Sequence, residues 1–155
     1  MLKKFVSTRN IILSFVVALA LVVFPVQGAF ATSNSNTVYF GGGYKATANM
    51  WIQPISSRNG CGNYKSSVIA NFKTTSVENT TRFYQIGFGS INIKGVSAGT
   101  TRDSNRQIRW KNTRGQRGAY ISGNVCGGWG ALYVGADVWG DVRKGTNARF
   151  PHARV

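Results

Sequence analysis

Acid–base chemistry has almost nothing to work with in this sequence. Its 155 residues include one histidine, His152, and four carboxylates, Glu78, Asp103, Asp137 and Asp141. A histidine-assisted nucleophile needs an imidazole held by a third group on a rigid frame. His152 stands between Pro151 and Ala153 near the end of the sequence, where a solvated side chain is expected. Glycoside hydrolysis needs two carboxyls facing each other across a bond. Asp137 and Asp141 are the closest pair in sequence, and four positions along one strand separate them by about 13 Å. That is too far for either glycosidase arrangement. One histidine and scattered acids offer no metal-ligand cluster. The two cysteines, Cys61 and Cys126, lack the Cys-x-x-Cys spacing of a redox pair. Gly41-Gly42-Gly43 is followed by neither Gly-Lys-Ser/Thr nor a helical pattern, so it reads as a turn or bulge, not a phosphate loop. The expectation is a protein that binds and does not catalyse, with no cofactor and no metal.

Long apolar runs are also missing, with one exception. Ile11 to Phe24 is an apolar stretch of 14 residues, preceded by Lys3, Lys4 and Arg9 and followed by Pro25 and the small-residue site Ala29-Phe30-Ala31. A positive start, an apolar core and a small-x-small site are the parts of a secretory signal. The run is shorter than the ~20 residues of a membrane-spanning helix. Residues 1–31 are therefore expected to be a cleaved signal peptide, and the remainder to be secreted and extracellular.

What remains is basic. Three of the 19 Lys and Arg residues precede residue 32, which leaves 16 bases against four acids beyond it, a net charge of +12. Such a field attracts anions. An exported chain meets envelope polymers and lipids before it meets chromosomal DNA, so nucleic acid is not expected as its natural partner. Two cysteines in an oxidising compartment read as one disulfide, Cys61–Cys126, and their glycine neighbours place it at turns or strand ends.

Helical periodicity is absent after residue 31, and strand periodicity takes its place. Tyr44, Ala46, Ala48, Met50 and Ile52 share one face, as do Ser66, Val68, Ala70 and Phe72. Tyr84, Ile86 and Phe88 form another expected face, and Ile108 and Trp110 pair further on. Ala119, Ile121, Gly123 and Val125 alternate, as do Leu132, Val134, Ala136 and Val138. Gly- and Asn-rich turns separate these runs. The pattern predicts one small all-β domain, an antiparallel β-sandwich or barrel of about seven to eight strands, over residues 38–142. Residues 32–37 read as a flexible leader and 143–155 as a basic tail. The cysteine spacing invites comparison with an immunoglobulin domain, but Phe72 and no Trp follows Cys61 closely, and Tyr120 lies six residues before Cys126 instead of two.

The densest cationic segment holds Arg102, Arg106, Arg109, Lys111, Arg114 and Arg117 around Trp110. Arginine grips anions with a bidentate fork, and tryptophan stacks or sits at a lipid interface. These seven residues are the candidate anionic-surface site, although a solvated sheet face would show the same composition. Trp51, Tyr133 and Trp139 fall on the less apolar faces of their strands and are candidates for aromatic contact with a sugar or membrane. The functional expectation is a secreted cationic protein that binds anionic envelope polymer or lipid, antimicrobial or bacteriocin-like. The alternatives are a non-lethal wall or acidic-polysaccharide binding module and a structural matrix protein.

Overall fold

The computed structural model describes residues 32–55 and 60–155; the expected signal peptide lies outside the described residues. Among the described residues eleven strands run in chain order: β1 Thr32–Gly41, β2 Tyr44–Ile52, β3 Cys61–Ala70, β4 Ser76–Phe88, β5 Asn92–Val96, β6 Thr101–Ser104, β7 Gln107–Asn112, β8 Gly118–Cys126, β9 Gly130–Lys144, β10 Asn147–Arg149 and β11 His152–Arg154. They form two antiparallel sheets. The first has the order β1-β2-β3-β8-β5. The second has the order β10-β9-β4-β7-β6, with β11 also paired to β9. The sheets do not close into a barrel, so of the two expected architectures the sandwich is the one observed.

The alternation in the sequence builds the core. Ala46, Ala48, Met50 and Ile52 of β2, Val68 and Ala70 of β3, and Ala119, Ile121 and Val125 of β8 come from the first sheet. Val77 and Phe83 of β4, Ile108 of β7 and Val134, Ala136, Val138 and Val142 of β9 meet them from the second. Tyr64 of β3 and Phe83 of β4 join the sheets edge to face, their ring centroids 4.7 Å apart. Each such large side chain stabilises the fold by roughly 1.5–3 kcal/mol through removal from water.

Four expectations change. Residues 32–37 are no flexible leader: they pair in register with β2, from Thr32 opposite Ile52 to Thr37 opposite Thr47. The expected tail continues β9 to Lys144 and supplies β10 and β11, two short strands along the edge of β9 separated by Phe150 and Pro151. These short elements raise the strand count above the expected seven to eight. The fourth change concerns β4. Its core face is Val77, Asn79, Thr81 and Phe83, while Ile86 and Phe88 are exposed. The inner face of β4 is half polar, which hides it from an apolar period-two pattern.

Those two buried polar residues are satisfied across the sandwich. Ser66 of β3 bonds Thr81 (Oγ to Oγ1, 2.6 Å). The Asn79 amide donates to Ser66 Oγ at 3.1 Å and to the Ala119 carbonyl at 3.3 Å, and Thr81 Oγ1 donates to Asn79 Oδ1 at 3.0 Å. Ser66, Asn79 and Thr81 are all buried. A fully connected network of this kind selects one register, because any slip leaves desolvated polar atoms unpaired.

The disulfide joins directly opposed residues of β3 and β8, with Cα atoms 3.9 Å apart, at the first residue of one strand and the last of the other. It agrees with the expected bridge at strand ends. It lies within one sheet, unlike the inter-sheet bridge of an immunoglobulin domain.

Replacing Asn79 with Ala should lower unfolding free energy by about 1–3 kcal/mol in urea titration, because Ser66 and Thr81 then lose partners they cannot replace with water. Thr80→Ala, one residue away on the outer face, should change it by less than about 0.5 kcal/mol. The buried Tyr64 hydroxyl has no hydrogen-bond partner among the described residues. Burial pushes this phenol up to about 12, against a smaller opposing pull from Arg102. The folded protein therefore keeps a proton that the unfolded chain releases near pH 10. The associated stability is full below pH 10 and is lost as pH rises through about 12, a loss of roughly 2–3 kcal/mol. Tyr64→Phe should remove that alkaline decline without lowering stability at pH 7.

Candidate functional site

Strand parity sorts the charges. With Asn79 facing inward, Glu78, Thr80 and Arg82 of β4 face outward. Register then places Glu78 between Lys111 and Asp141, Thr80 between Arg109 and Trp139, and Arg82 between Gln107 and Asp137. Glu78, Asp137 and Asp141 therefore share the outer face of the second sheet, and Asp103 reaches it from β6 through Arg109. Each acid there has a cationic neighbour. Arg109 approaches Asp103 at 3.3 Å and Glu78 at 3.9 Å, and Lys111 lies 3.8 Å from Glu78. Arg143 bonds Asp141 at 3.0 Å, and Asp137 takes His152 at 3.3 Å and Arg154 at 3.5 Å. All four carboxylates of the sequence are thus spent on one face.

This divides the expected anionic-surface site. Arg109 and Lys111 belong to the neutralised face. Trp110 points to the other side of β7 and packs, partly buried, against the core, so it is not a surface anchor. Arg102 donates from Nη2 to the Ile93 carbonyl at 2.8 Å and ties β6 to β5. Arg106 lies exposed on the β6–β7 turn. Arg114 and Arg117 sit in the β7–β8 connection at one end of the sandwich, away from Arg106. The seven residues do not form one patch.

Arg114 and Arg117 belong to a different cluster. The connections 71–75, 113–117 and 145–146 converge there through backbone bonds from Ala70 N to Arg117 O, Asn71 N to Lys45 O and Thr75 N to Arg143 O. This end gathers Lys45, Lys73, Arg114, Arg117, Lys144 and Arg149, and none of them has a carboxylate partner among the described residues. Lys144 lies 3.1 Å from the centroid of the Tyr44 ring, which fixes the ammonium without neutralising it.

The opposite end carries an apolar ridge that the sequence reading missed. Here β4 and β9 leave the second sheet together. Their continuations cross at Gly89 and Gly128, where a Cβ on Gly128 would lie 2.6 Å from Gly89 Cα. Gly87, with φ of 110°, has room for no side chain either: a Cβ would meet the Gly130 carbonyl. Ile86, Phe88, Trp129 and Leu132 project around this crossing with 57, 72, 63 and 79 % of their surfaces exposed. The rings of Phe88 and Trp129 stack 6.0 Å apart. Gln85 braces the bend, donating to the Phe88 and Gly89 carbonyls and accepting from Gly128 N–H. The flanking glycines in Gly87-Phe88-Gly89 and Gly128-Trp129-Gly130 were the available signal: an aromatic between two glycines has few neighbours to bury it.

The three candidate aromatics separate as well. Trp139 is half-exposed on the neutralised face, stacked on His152 at 3.8 Å. His152 is accordingly no solvated tail residue but is held between Trp139 and Asp137. Tyr133 leans on Tyr84, and burial together with that neighbour raises its phenol above the usual range. Trp51 lines a concavity. On the outer face of the first sheet it borders a trough of about 690 Å³ with Lys65, Asn49, Ser67, Ser122 and Tyr120. This face carries no acid.

No known protein family matches the chain, and no curated protein resembles it significantly.

Gly128→Ala should destabilise the protein by more than about 2 kcal/mol, because backbone lies where the methyl group would go. The paired change Phe88→Ser with Trp129→Ser should cost less than about 1 kcal/mol, as expected of side chains already in water. Denaturant titration of both variants checks this contrast.

Proposed function

We propose that the chain is an exported cationic protein that attaches to anionic polymer of cell envelopes through the end of the sandwich where Lys45, Lys73, Arg114, Arg117, Lys144 and Arg149 have no carboxylate partner. The observation that carries this reading is the segregation of charge. All four acids are paired on one face, so the remaining cations act on a partner without internal competition. Several cations within one Debye length, about 8 Å at physiological salt, act together on a polyanion. Paired arginines on the opposite sheet face would be screened by their own carboxylates.

Retention on isolated cell envelopes over a salt gradient tests this. The variant Lys73→Gln with Arg114→Gln and Arg117→Gln should lose about tenfold or more in affinity, a conversion of 1.4 kcal/mol. Arg109→Gln with Lys111→Gln should lose less than about threefold, since those charges are already compensated. Equal losses, or retention indifferent to salt, would overturn the assignment to this end.

The ridge supports a second reading, in which attachment is followed by antimicrobial, bacteriocin-like damage to the membrane. Clustered exposed apolar side chains on a monomeric domain mark an interaction surface, and Trp beside Phe and Leu suits the lipid interface. Under this reading, Phe88→Ser with Trp129→Ser abolishes growth inhibition of a sensitive strain while envelope attachment persists. Absence of inhibition by the unaltered protein across a broad panel leaves a non-lethal wall-binding module.

A further inference from the structure

We infer that the trough on the outer face of the first sheet binds a glycan chain, with sugar rings stacked on Trp51 and Tyr120 and hydroxyls met by Asn49, Ser67 and Ser122. The inference rests on the envelope-attachment reading and names the chemical class of the polymer attached.

The lining decides the class. Trp51 of β2 and Tyr120 of β8 stand on opposite sides of β3. Register sets Trp51 beside Lys65 and Ser122, and Asn49 beside Ser67 and Tyr120. The two residues are therefore two strands and two register positions apart, about 12 Å between their Cα atoms, across a floor of sheet backbone, with the Tyr120 ring lying over Gly118 on the side away from Trp51. Trp51 is half-buried and Tyr120 is 53 % exposed. Each ring is anchored at its base on a rigid sheet and presents area to solvent.

Between them lie groups that both donate and accept hydrogen bonds. The Asn49 amide donates to Ser67 Oγ at 3.1 Å, which orients both side chains while leaving acceptor capacity on the amide oxygen and a proton on the hydroxyl. Alternating hydroxyls and C–H faces are what a sugar offers. An apolar helix or a lipid tail would desolvate these polar groups without replacing their hydrogen bonds, at a cost for each. The volume of about 690 Å³ lies within the usual range for ligand sites.

Charge favours a glycan with acidic substituents. Lys65 sits between Trp51 and Ser122 in the register. Lys45 stands on the same sheet face, and all carboxylates lie on the opposite sheet. An acidic sugar thus meets a cation and no repelling group.

The test compares three materials: isolated cell envelopes, the same envelopes after periodate oxidation of their sugar diols, and polyphosphate beads, which carry charge without sugar. Trp51→Ala and Tyr120→Ala should each lower affinity for intact envelopes about tenfold, with Trp51→Phe restoring most of it. Neither should alter retention on polyphosphate, and the unaltered protein should lose to periodate about what Trp51→Ala loses. Thermal unfolding verifies that the variants are folded. Unchanged envelope affinity in Trp51→Ala and Tyr120→Ala, with polyphosphate binding intact, would overturn the glycan site and leave the cationic attachment standing. An unaltered protein that binds neither envelopes nor polyphosphate would overturn the attachment reading, and this inference with it.

Discussion

The buried hydrogen bonds among Ser66, Asn79 and Thr81 settle which way the strands face, and the rest of the surface follows from that choice. In a sheet the side-chain period is two, so one inward residue determines all its neighbours. Asn79 inward puts Glu78 and Arg82 outward on β4, and its pairing with Gly140 puts Asp137, Trp139 and Asp141 outward on β9. Ser66 inward puts Lys65 and Ser67 outward on β3, together with Trp51, Asn49 and Tyr120 on the neighbouring strands. A slip of one residue would bury carboxylates and expose Val77, Phe83 and Val138. The polar trio therefore separates the charged, self-paired face from the trough more firmly than apolar contacts alone, which tolerate repacking.

The same trio explains what was legible in the sequence. β2, β3, β8 and most of β9 alternate cleanly because their inner positions, Ser66 of β3 apart, are apolar or glycine, and their faces were read correctly. On β4 the face shared by Tyr84, Ile86 and Phe88 is not the buried one, and the buried one was not read, since Asn79 and Thr81 look like surface residues until Ser66 is known to lie against them. The distribution of charge was hidden for a related reason. Glu78 lies more than 30 residues before Arg109 and Lys111, and only the β4–β7 register brings them together. His152 looked solvated because a three-residue strand after a proline leaves no periodic trace. The disulfide was legible, as two lone cysteines leave one pairing once an oxidising compartment is expected.

The end of the sandwich where two segments of the chain cross shows how glycine and the disulfide divide a structural task. Gly89 and Gly128 permit a backbone approach that no side chain would allow, which lets β4 and β9 continue into β5 and β8 across the gap between sheets. Extra backbone freedom at such positions favours the unfolded chain. The Cys61–Cys126 bridge lies immediately before this corner and restricts the unfolded chain in turn, by roughly 4 kcal/mol for a loop of this length on the chain-entropy model. The corner is then stiff enough to hold Phe88 and Trp129 outward. Apolar side chains on a flexible loop would collapse onto the nearest surface, whereas on a crossed and bridged backbone they have nowhere to fold.

Edge geometry bears on the remaining alternative, a matrix protein assembled strand to strand. Assembly of that kind needs a long free edge. β5 and β6, at one side, have five and four residues and each carries a register irregularity. At the other side β1 is long, but Asn34 donates to the Arg154 carbonyl and Arg149 donates to the Tyr39 carbonyl. The segment first read as a tail thus fastens at two points to the strand whose first residues were read as a leader, and occupies the Tyr39 carbonyl on the edge most suited to templating. Short, irregular edges on one side and a fastened edge on the other favour a domain that meets its partners through its ends and faces. Those are the regions where uncompensated cations, the trough and the ridge are found.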